Sequence, residues 1–183
     1  MWQQGALLSN GNYMSIKHNE KIVHITSPYD DEILQLNIKL NKTYIPYGIH
    51  GKEKLKKQAN QDYNASIYGA GNEVNRTVSK SSDFYKNSSW DLVDAEKAQN
   101  DFDFNNINKK MLPKHLQQMS EKELKSYVLE QGENRKKIQE RIQLLNTERK
   151  KFFSKKKSIK NKTLENAMIT SIKKQAKKKN YIW

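Results

Sequence analysis

Three consecutive carboxylates, Asp30, Asp31 and Glu32, are the residues of this chain whose types and spacing could most directly do chemistry. Paired acids act as general acid and base in hydrolysis, and groups of them bind divalent cations. Neighbouring residues of a helix, however, point about 100° apart around its axis. Two adjacent acids on a helix are therefore poor joint ligands, so the element that holds them decides their role.

The surrounding stretch, SPYDDEILQLN (27–37), predicts the start of a helix. Ser27 is a favourable cap residue and Pro28 suits the first turn. Asp30 lies three residues after Ser27, where its side chain can reach back to the cap, and all three acids face the positive end of the helix dipole. Apolar residues then recur at helical spacing: Ile33, Leu34, Leu36, Ile38 and Leu40. We predict a helix over 28–42 and a structural role for the acids.

Other residues with chemical potential are scattered along the chain. The four histidines, at 18, 24, 50 and 115, have no spacing that would place two of them on one metal ion. The absence of cysteine excludes disulfides, thiolate metal sites and cysteine nucleophiles. The stretch GAGNEV (69–74) lacks the third glycine and the preceding strand of a dinucleotide fingerprint, and no other catalytic motif occurs. We therefore predict no catalytic, cofactor-binding or metal-binding residues and no enzymatic activity.

Positive charge is concentrated in the last third of the chain. The net charge is +14, and residues 109–183 contain 22 Lys or Arg against seven Asp or Glu. Such asymmetry indicates an acidic partner, which could be nucleic acid, an anionic membrane or an acidic protein face, although a solvated lysine-rich helix surface would look the same. The residues that we expect to contact an anionic partner are Lys155, Lys156, Lys157, Lys173, Lys174, Lys177, Lys178 and Lys179. Because no motif that reads RNA or DNA occurs, nucleic-acid binding would be non-specific and salt-dependent.

The composition favours an extended helical protein over one compact core. Of the 183 residues, 35% are hydrophobic and 30% charged, and the mean hydropathy is −1.01. We predict a mainly α chain in three parts: a short α/β remnant at 1–48, a polar helical and linker region at 49–112, and a basic helical hairpin at 113–183. The remnant would contain two short strands, Asn12–Ile16 and Lys21–Ile25.

The predicted hairpin begins with a capping box at Ser120–Glu123. A heptad seam then runs through residues 121–153, and a second helix over 163–179 could fold back on it. The seam positions are Leu124, Val128, Gln131, Arg135, Ile138, Ile142, Leu145, Arg149 and Phe152. Because three of these nine are polar, the seam favours a helical hairpin or weak self-association over a long coiled coil.

No apolar run approaches the roughly 20 residues that span a membrane. The N-terminal stretch MWQQGALLSNGNY lacks the basic start and long apolar segment of a signal peptide. The sequence therefore predicts no transmembrane segment and no export signal, and it leaves the compartment open.

Long stretches of the chain resemble bacterial proteins that contain a von Willebrand factor type A (VWA) domain followed by a helical C-terminal extension. The resemblance is carried by WQQGALLSNGNYMSI, IVHITSPYDDEILQLNIKLNKTYIPYG, KSSDFYKNSSWDLVDA and the closing KKKNYIW. It implies that residues from Trp2 onward form the last helix of such a domain, residues 12–25 its closing strands, and residues 28–42 a helix that packs on the sheet.

The resemblance also implies a missing site. The metal-ion-dependent adhesion site of VWA domains needs an Asp-x-Ser-x-Ser loop, which this sequence does not contain. No metal-binding residue of the family can be placed on this chain. We therefore expect a non-enzymatic interaction or scaffold protein with a protein partner. The alternative is a basic helical protein that binds nucleic acid non-specifically.

Overall fold

A computed structural model describes residues 2–9, 13, 26–99, 102–155 and 164–181 of the chain. In these ranges the backbone forms seven α-helices and three short 3-10 helices. The α-helices are α1 (Trp2–Leu8), α2 (Asp30–Asn41), α3 (Gly51–Ile67), α4 (Ala70–Lys80), α5 (Leu92–Ala98), α6 (Glu121–Lys155) and α7 (Leu164–Lys178). The 3-10 helices are Phe104–Asn106, Lys109–Met111 and Lys114–Leu116. The mainly α prediction is confirmed. None of the described helices is long and apolar enough to cross a membrane.

The prediction of an α/β remnant at 1–48 is wrong, because the described residues of this range form α1 and α2 and contain no strand. The segments expected to be strands, Asn12–Ile16 and Lys21–Ile25, lie outside the described residues except for Tyr13. Among the described residues, extended pairing is limited to one antiparallel bridge between Pro46 and Asp91. Proline has no backbone N–H to donate, which limits how far such a pairing can extend.

The chain divides into two compact units. One comprises residues 25–156 and contains α2 to α6, and the other includes α1 and α7. In the larger unit, helices bury the apolar residues that a sheet was expected to cover. Two clusters of buried side chains pack along α6. The first contains Ile45, Leu92, Val93, Phe104, Leu112, Leu116, Leu124 and Val128, and the second contains Ile33, Leu40, Tyr44, Val74, Trp90, Ile142 and Leu145.

Helix α2 begins as its local sequence predicts, although two residues later. The backbone N–H of Ser27 donates to Asp30 Oδ2 at 3.0 Å, and the Ser27 hydroxyl donates to Asp30 Oδ1 at 2.5 Å. The helix itself starts at Asp30, and Tyr29 at the cap position makes no side-chain cap bond. The expected reach of Asp30 back to Ser27 is present, so the helix start is fixed by local chemistry.

Helix α6 has 35 residues and is the central helix on which the larger unit packs. Its predicted capping box is confirmed: Ser120 N–H donates to Glu123 Oε2 at 2.8 Å, and Glu123 N–H donates to Ser120 Oγ at 3.3 Å. Helices α2, α4 and α5 pack on α6. Six of the nine seam positions are buried in this unit: Leu124, Val128, Arg135, Ile142, Leu145 and Arg149. These six seam positions therefore pack within the larger unit, against α2, α4, α5 and the 3-10 helices.

Candidate functional site

The two seam arginines, Arg135 and Arg149, make buried polar contacts in the larger unit. Arg135 is buried, and each of its five N–H donors has an acceptor. Nε donates to Thr43 Oγ1 at 2.9 Å, and Nη2 donates to the Thr43 carbonyl at 2.7 Å and to Asp91 Oδ1 at 3.2 Å. Nη1 donates to Asp91 Oδ2 at 2.5 Å and to Asp94 Oδ1 at 2.7 Å. The guanidinium also lies 4.3 Å from the centroid of the Tyr44 ring. Such complete pairing is what a buried charge requires.

Asp91 connects this arginine to two parts of the backbone. It caps α5 by accepting from Asp94 N–H at 3.1 Å, and it accepts from Ile45 N–H at 2.8 Å. Burial raises the pKa of Asp91, and the hydrogen bonds and charge of Arg135 oppose that shift. Burial also disfavours the charge of Arg135, but Asp91 outweighs it and holds the pKa of Arg135 above its ordinary value. The pair therefore stabilises the junction between α5, α6 and the segment after α2.

Arg149 repeats the arrangement two heptads further along α6. Its Nε donates to Asp30 Oδ1 at 2.8 Å, its Nη1 donates to Asn75 Oδ1 at 3.3 Å, and its guanidinium lies 4.9 Å from the Phe153 ring centroid. Burial raises the pKa of Asp30, but the hydrogen bonds from Ser27 and the charge of Arg149 outweigh it and hold that pKa below its ordinary value. Asp30 is thus a partner of Arg149 as well as part of the start of α2.

Lys80, at the end of α4, is fully buried. Its ammonium donates to Asn37 Oδ1 at 2.9 Å, to Asn41 Oδ1 at 2.5 Å and to the carboxylate of Asp62. Burial lowers the pKa of Lys80, and Asp62 opposes that shift. A buried amine with a lowered pKa can act as a nucleophile or base. Here all three donors are used within the protein, which favours a structural role in joining α2, α3 and α4.

A cleft of about 540 Å³ lies between α5, the segment before it and α6. Its walls carry charges of both signs, including Asp83, Glu133, Lys86 and Lys136. Across the described ranges, no group of three or more His, Asp or Glu residues could hold a metal ion. The described residues of the cleft therefore offer charges of both signs but no metal-binding cluster.

The predicted basic residues fall in several places. Four of them, Lys173, Lys174, Lys177 and Lys178, lie on α7, and Lys179 follows it in a turn. All five are exposed. Lys155 is the exposed last residue of α6 and belongs to the larger unit, whereas Lys156 and Lys157 lie outside the described residues.

The lysines of α7 occupy one side of the helix. Residues three or four apart are neighbours on a helix surface, so Lys173 stands next to Lys177 and Lys174 next to Lys178. The apolar Met168, Ile169 and Ile172 lie on the opposite side and are 45%, 44% and 51% exposed. Helix α7 is therefore an amphipathic basic helix whose apolar side is only partly covered.

Sequence reasoning missed the buried ion pairs. It recorded Arg135 and Arg149 as polar interruptions of the seam and attached no role to Lys80. One signal was present, because two arginines 14 residues apart occupy equivalent heptad positions. Their partners are distant in sequence: Asp91 lies 44 residues from Arg135, and Asp30 lies 119 residues from Arg149. A local pattern cannot identify such partners.

The fold and these contacts define a mainly helical protein with an exposed basic helix. Residues 113–178 match the model of a family described as a family of unknown function (DUF6887). The match spans less than half of the chain and covers all of α6 and α7. A search of curated proteins and a search of solved structures found no match. The resemblance to VWA proteins stays a prediction, since the matched family lies within the part that the resemblance assigned to the helical extension.

Proposed function

We propose that this chain is a non-enzymatic interaction protein, in which a helical body serves as a scaffold and a basic segment binds an acidic partner. The observation that carries the proposal is the row of five exposed lysines from Lys173 to Lys179, with no acidic residue between Asn166 and Tyr181 to neutralise it. Exposed like charges repel one another, and an acidic partner relieves that repulsion.

The polar groups inside the body support a structural role for it. The buried titratable residues Asp91, Arg135 and Lys80 are all hydrogen-bonded within the chain: Arg135 donates to Asp91, and Lys80 donates to Asn37. Among the described residues, Asn87 Nδ2 is the one buried side-chain nitrogen or oxygen without a hydrogen-bond partner. A catalytic constellation needs groups that are free to meet a substrate, and these are occupied.

The proposal is tested with two soluble polyanions, an oligoglutamate peptide and a mixed-sequence single-stranded DNA, each titrated with the full chain across a range of salt. A variant with Lys173, Lys174, Lys177 and Lys178 changed to Gln should bind both probes more weakly. For the DNA, losing four phosphate contacts should reduce the slope of log K against log salt by about 3.

A matched control removes the same charge elsewhere. Helix α3 carries four exposed lysines, Lys52, Lys54, Lys56 and Lys57, and their change to Gln lowers the net charge equally. If the basic segment is the binding surface, this control retains wild-type affinity. Equal losses in both variants would show that binding follows net charge alone and would contradict the proposal.

Non-specific nucleic-acid binding is the second candidate, favoured by the lysine density and by the exposed ring of Tyr181 beside it. DNA binding that exceeds oligoglutamate binding at equal charge density would support this alternative. Stronger binding to the peptide would favour an acidic protein face.

A further inference from the structure

We propose that α7 binds the surface of an anionic lipid bilayer, with its apolar side in the interface and its lysines among the headgroups. This inference rests on the proposed function, since it names the acidic partner of the basic segment. It is carried by the two opposite sides of α7 and by the exposure of both.

The apolar side distinguishes a bilayer from other polyanions. A nucleic-acid backbone or an acidic peptide can neutralise Lys173, Lys174 and Lys177, but it leaves Met168 and Ile172 about half exposed to water. A bilayer surface satisfies both sides at once, because an amphipathic helix in the interface buries its apolar side and keeps its charges at the headgroups. The arrangement of side chains on α7 thus fits anionic lipid better than a soluble anion.

The dimensions of α7 fit a helix that lies on a membrane. Fifteen residues give a helix about 22 Å long, which is shorter than the roughly 30 Å of a bilayer's hydrocarbon core. Four of these fifteen residues are lysines, which belong at the headgroups. Tyr181, three residues after the end of the helix, is exposed, and tyrosine is enriched at membrane interfaces. We therefore infer an interfacial orientation, parallel to the bilayer plane.

The inference is tested by sedimentation of the full chain with vesicles of phosphatidylcholine alone or mixed with phosphatidylserine. The wild-type chain should sediment with the mixed vesicles only, and raising the salt should weaken the binding, by about fivefold for each lysine contact that is screened. Changing Ile169 and Ile172 to Asn leaves the charge unchanged. This variant should bind the mixed vesicles at least tenfold more weakly and bind oligoglutamate and DNA like the wild type.

A matched control changes two exposed isoleucines of the larger unit, Ile49 and Ile67, to Asn, and it should bind vesicles normally. Helical content by circular dichroism shows whether each variant has folded. If the chain binds soluble polyanions but no vesicles, the inference fails and the proposed function stands. If it binds neither, both fail.

A second measurement reports which side of α7 enters the bilayer. Because the chain lacks cysteine, a single Met168→Cys or Lys177→Cys change provides one labelling site on either side of α7. An environment-sensitive fluorophore at 168 should shift to the blue on mixed vesicles, whereas the same fluorophore at 177 should not. Vesicle binding without this difference would indicate electrostatic adsorption alone and would overturn the proposed insertion.

Discussion

Replacing Arg135 with Met should destabilise the larger unit by about 4 kcal/mol. The change removes five hydrogen bonds and leaves the fully buried Asp91 carboxylate with two backbone donors, Ile45 N–H and Asp94 N–H. Breaking a buried pair by removing one partner costs about 3–5 kcal/mol, since the other charge stays buried and uncompensated. The Thr43 carbonyl also loses a donor.

The assay is urea unfolding of the full chain, followed by far-UV circular dichroism. With a slope near 2 kcal/mol per molar urea, a loss of 4 kcal/mol lowers the midpoint by about 2 M. Arg141→Met provides the control, because Arg141 lies on the same helix and pairs with Glu32 at the surface, where both side chains are about half exposed. An exposed pair contributes less than about 1 kcal/mol, so this control should shift the midpoint little.

A double-mutant cycle separates the ion pair from the packing. Asp91→Asn keeps an oxygen that can cap α5 and removes the charge that Arg135→Met leaves uncompensated. The double variant should therefore be more stable than the sum of the single effects predicts, by about 2 kcal/mol. Additive effects, or a cost for Arg135→Met no larger than that of Arg141→Met, would refute the reasoning.

The pH dependence of the Arg135→Met variant follows from the same geometry. Without the guanidinium, burial and the charge of Asp94 raise the folded pKa of Asp91 above the unfolded value, and the hydrogen bond from Ile45 N–H opposes them only in part. A carboxyl group with a raised folded pKa binds its proton more tightly in the folded state. The destabilisation caused by its buried charge therefore decreases as the pH falls through that pKa. The difference in the free energy of unfolding between the variant and the wild type should become smaller at acidic pH.

Three further predictions concern other contacts. The folded pKa of Asp30 is below its ordinary value. The stability that the Asp30 carboxylate contributes should therefore be present above the unfolded pKa and be lost as the pH falls through the folded pKa. The melting temperatures of wild type and Asp30→Asn should become equal at that low pH. Lys80→Met should lower the free energy of unfolding in urea by about 2–4 kcal/mol, because it leaves buried acceptors without a donor. Lys86→Met, at an exposed position, should leave the free energy of unfolding unchanged. Gly132→Ala should stabilise α6 by about 0.5–1 kcal/mol, because alanine favours the helix and the added Cβ would be in ordinary contact with Val93 at 3.6 Å. Gly69→Ala should destabilise the protein, because the φ of Gly69 is +107°, which alanine rarely adopts.

Local chemistry allowed the starts of α2 and α6 to be predicted from the sequence. Ser27 with Asp30, and Ser120 with Glu123, are pairs three residues apart whose bonds form within one turn. The positions of the exposed lysines on α7 were also predictable, because a surface charge needs no partner to define it.

The fold of residues 1–48 was not predictable in the same way. The strand prediction came from short apolar stretches, and a strand also needs a pairing partner, which a local pattern cannot identify. In the described part of this range the apolar residues Ile33 and Leu40 pack on other helices instead. The prediction of a sheet remnant rested on a resemblance and on short patterns, and long-range packing decided otherwise.

The buried arginines explain why the seam of α6 reads as a weak coiled coil. Arg135 and Arg149 occupy equivalent heptad positions, and each has a carboxylate partner on another element of the same unit: Asp91 before α5 and Asp30 at the start of α2. A second copy of α6 could cover the apolar seam positions, but it would not supply Asp91 or Asp30, the carboxylates that pair with the two guanidinium groups. A polar residue in a seam is known to fix the choice of partner at some cost in stability. In this chain the two arginines favour α2, α4 and α5 as the partners of α6. Arg135 and Arg149 interrupt the apolar seam of a coiled coil, but their ion pairs select the intramolecular packing.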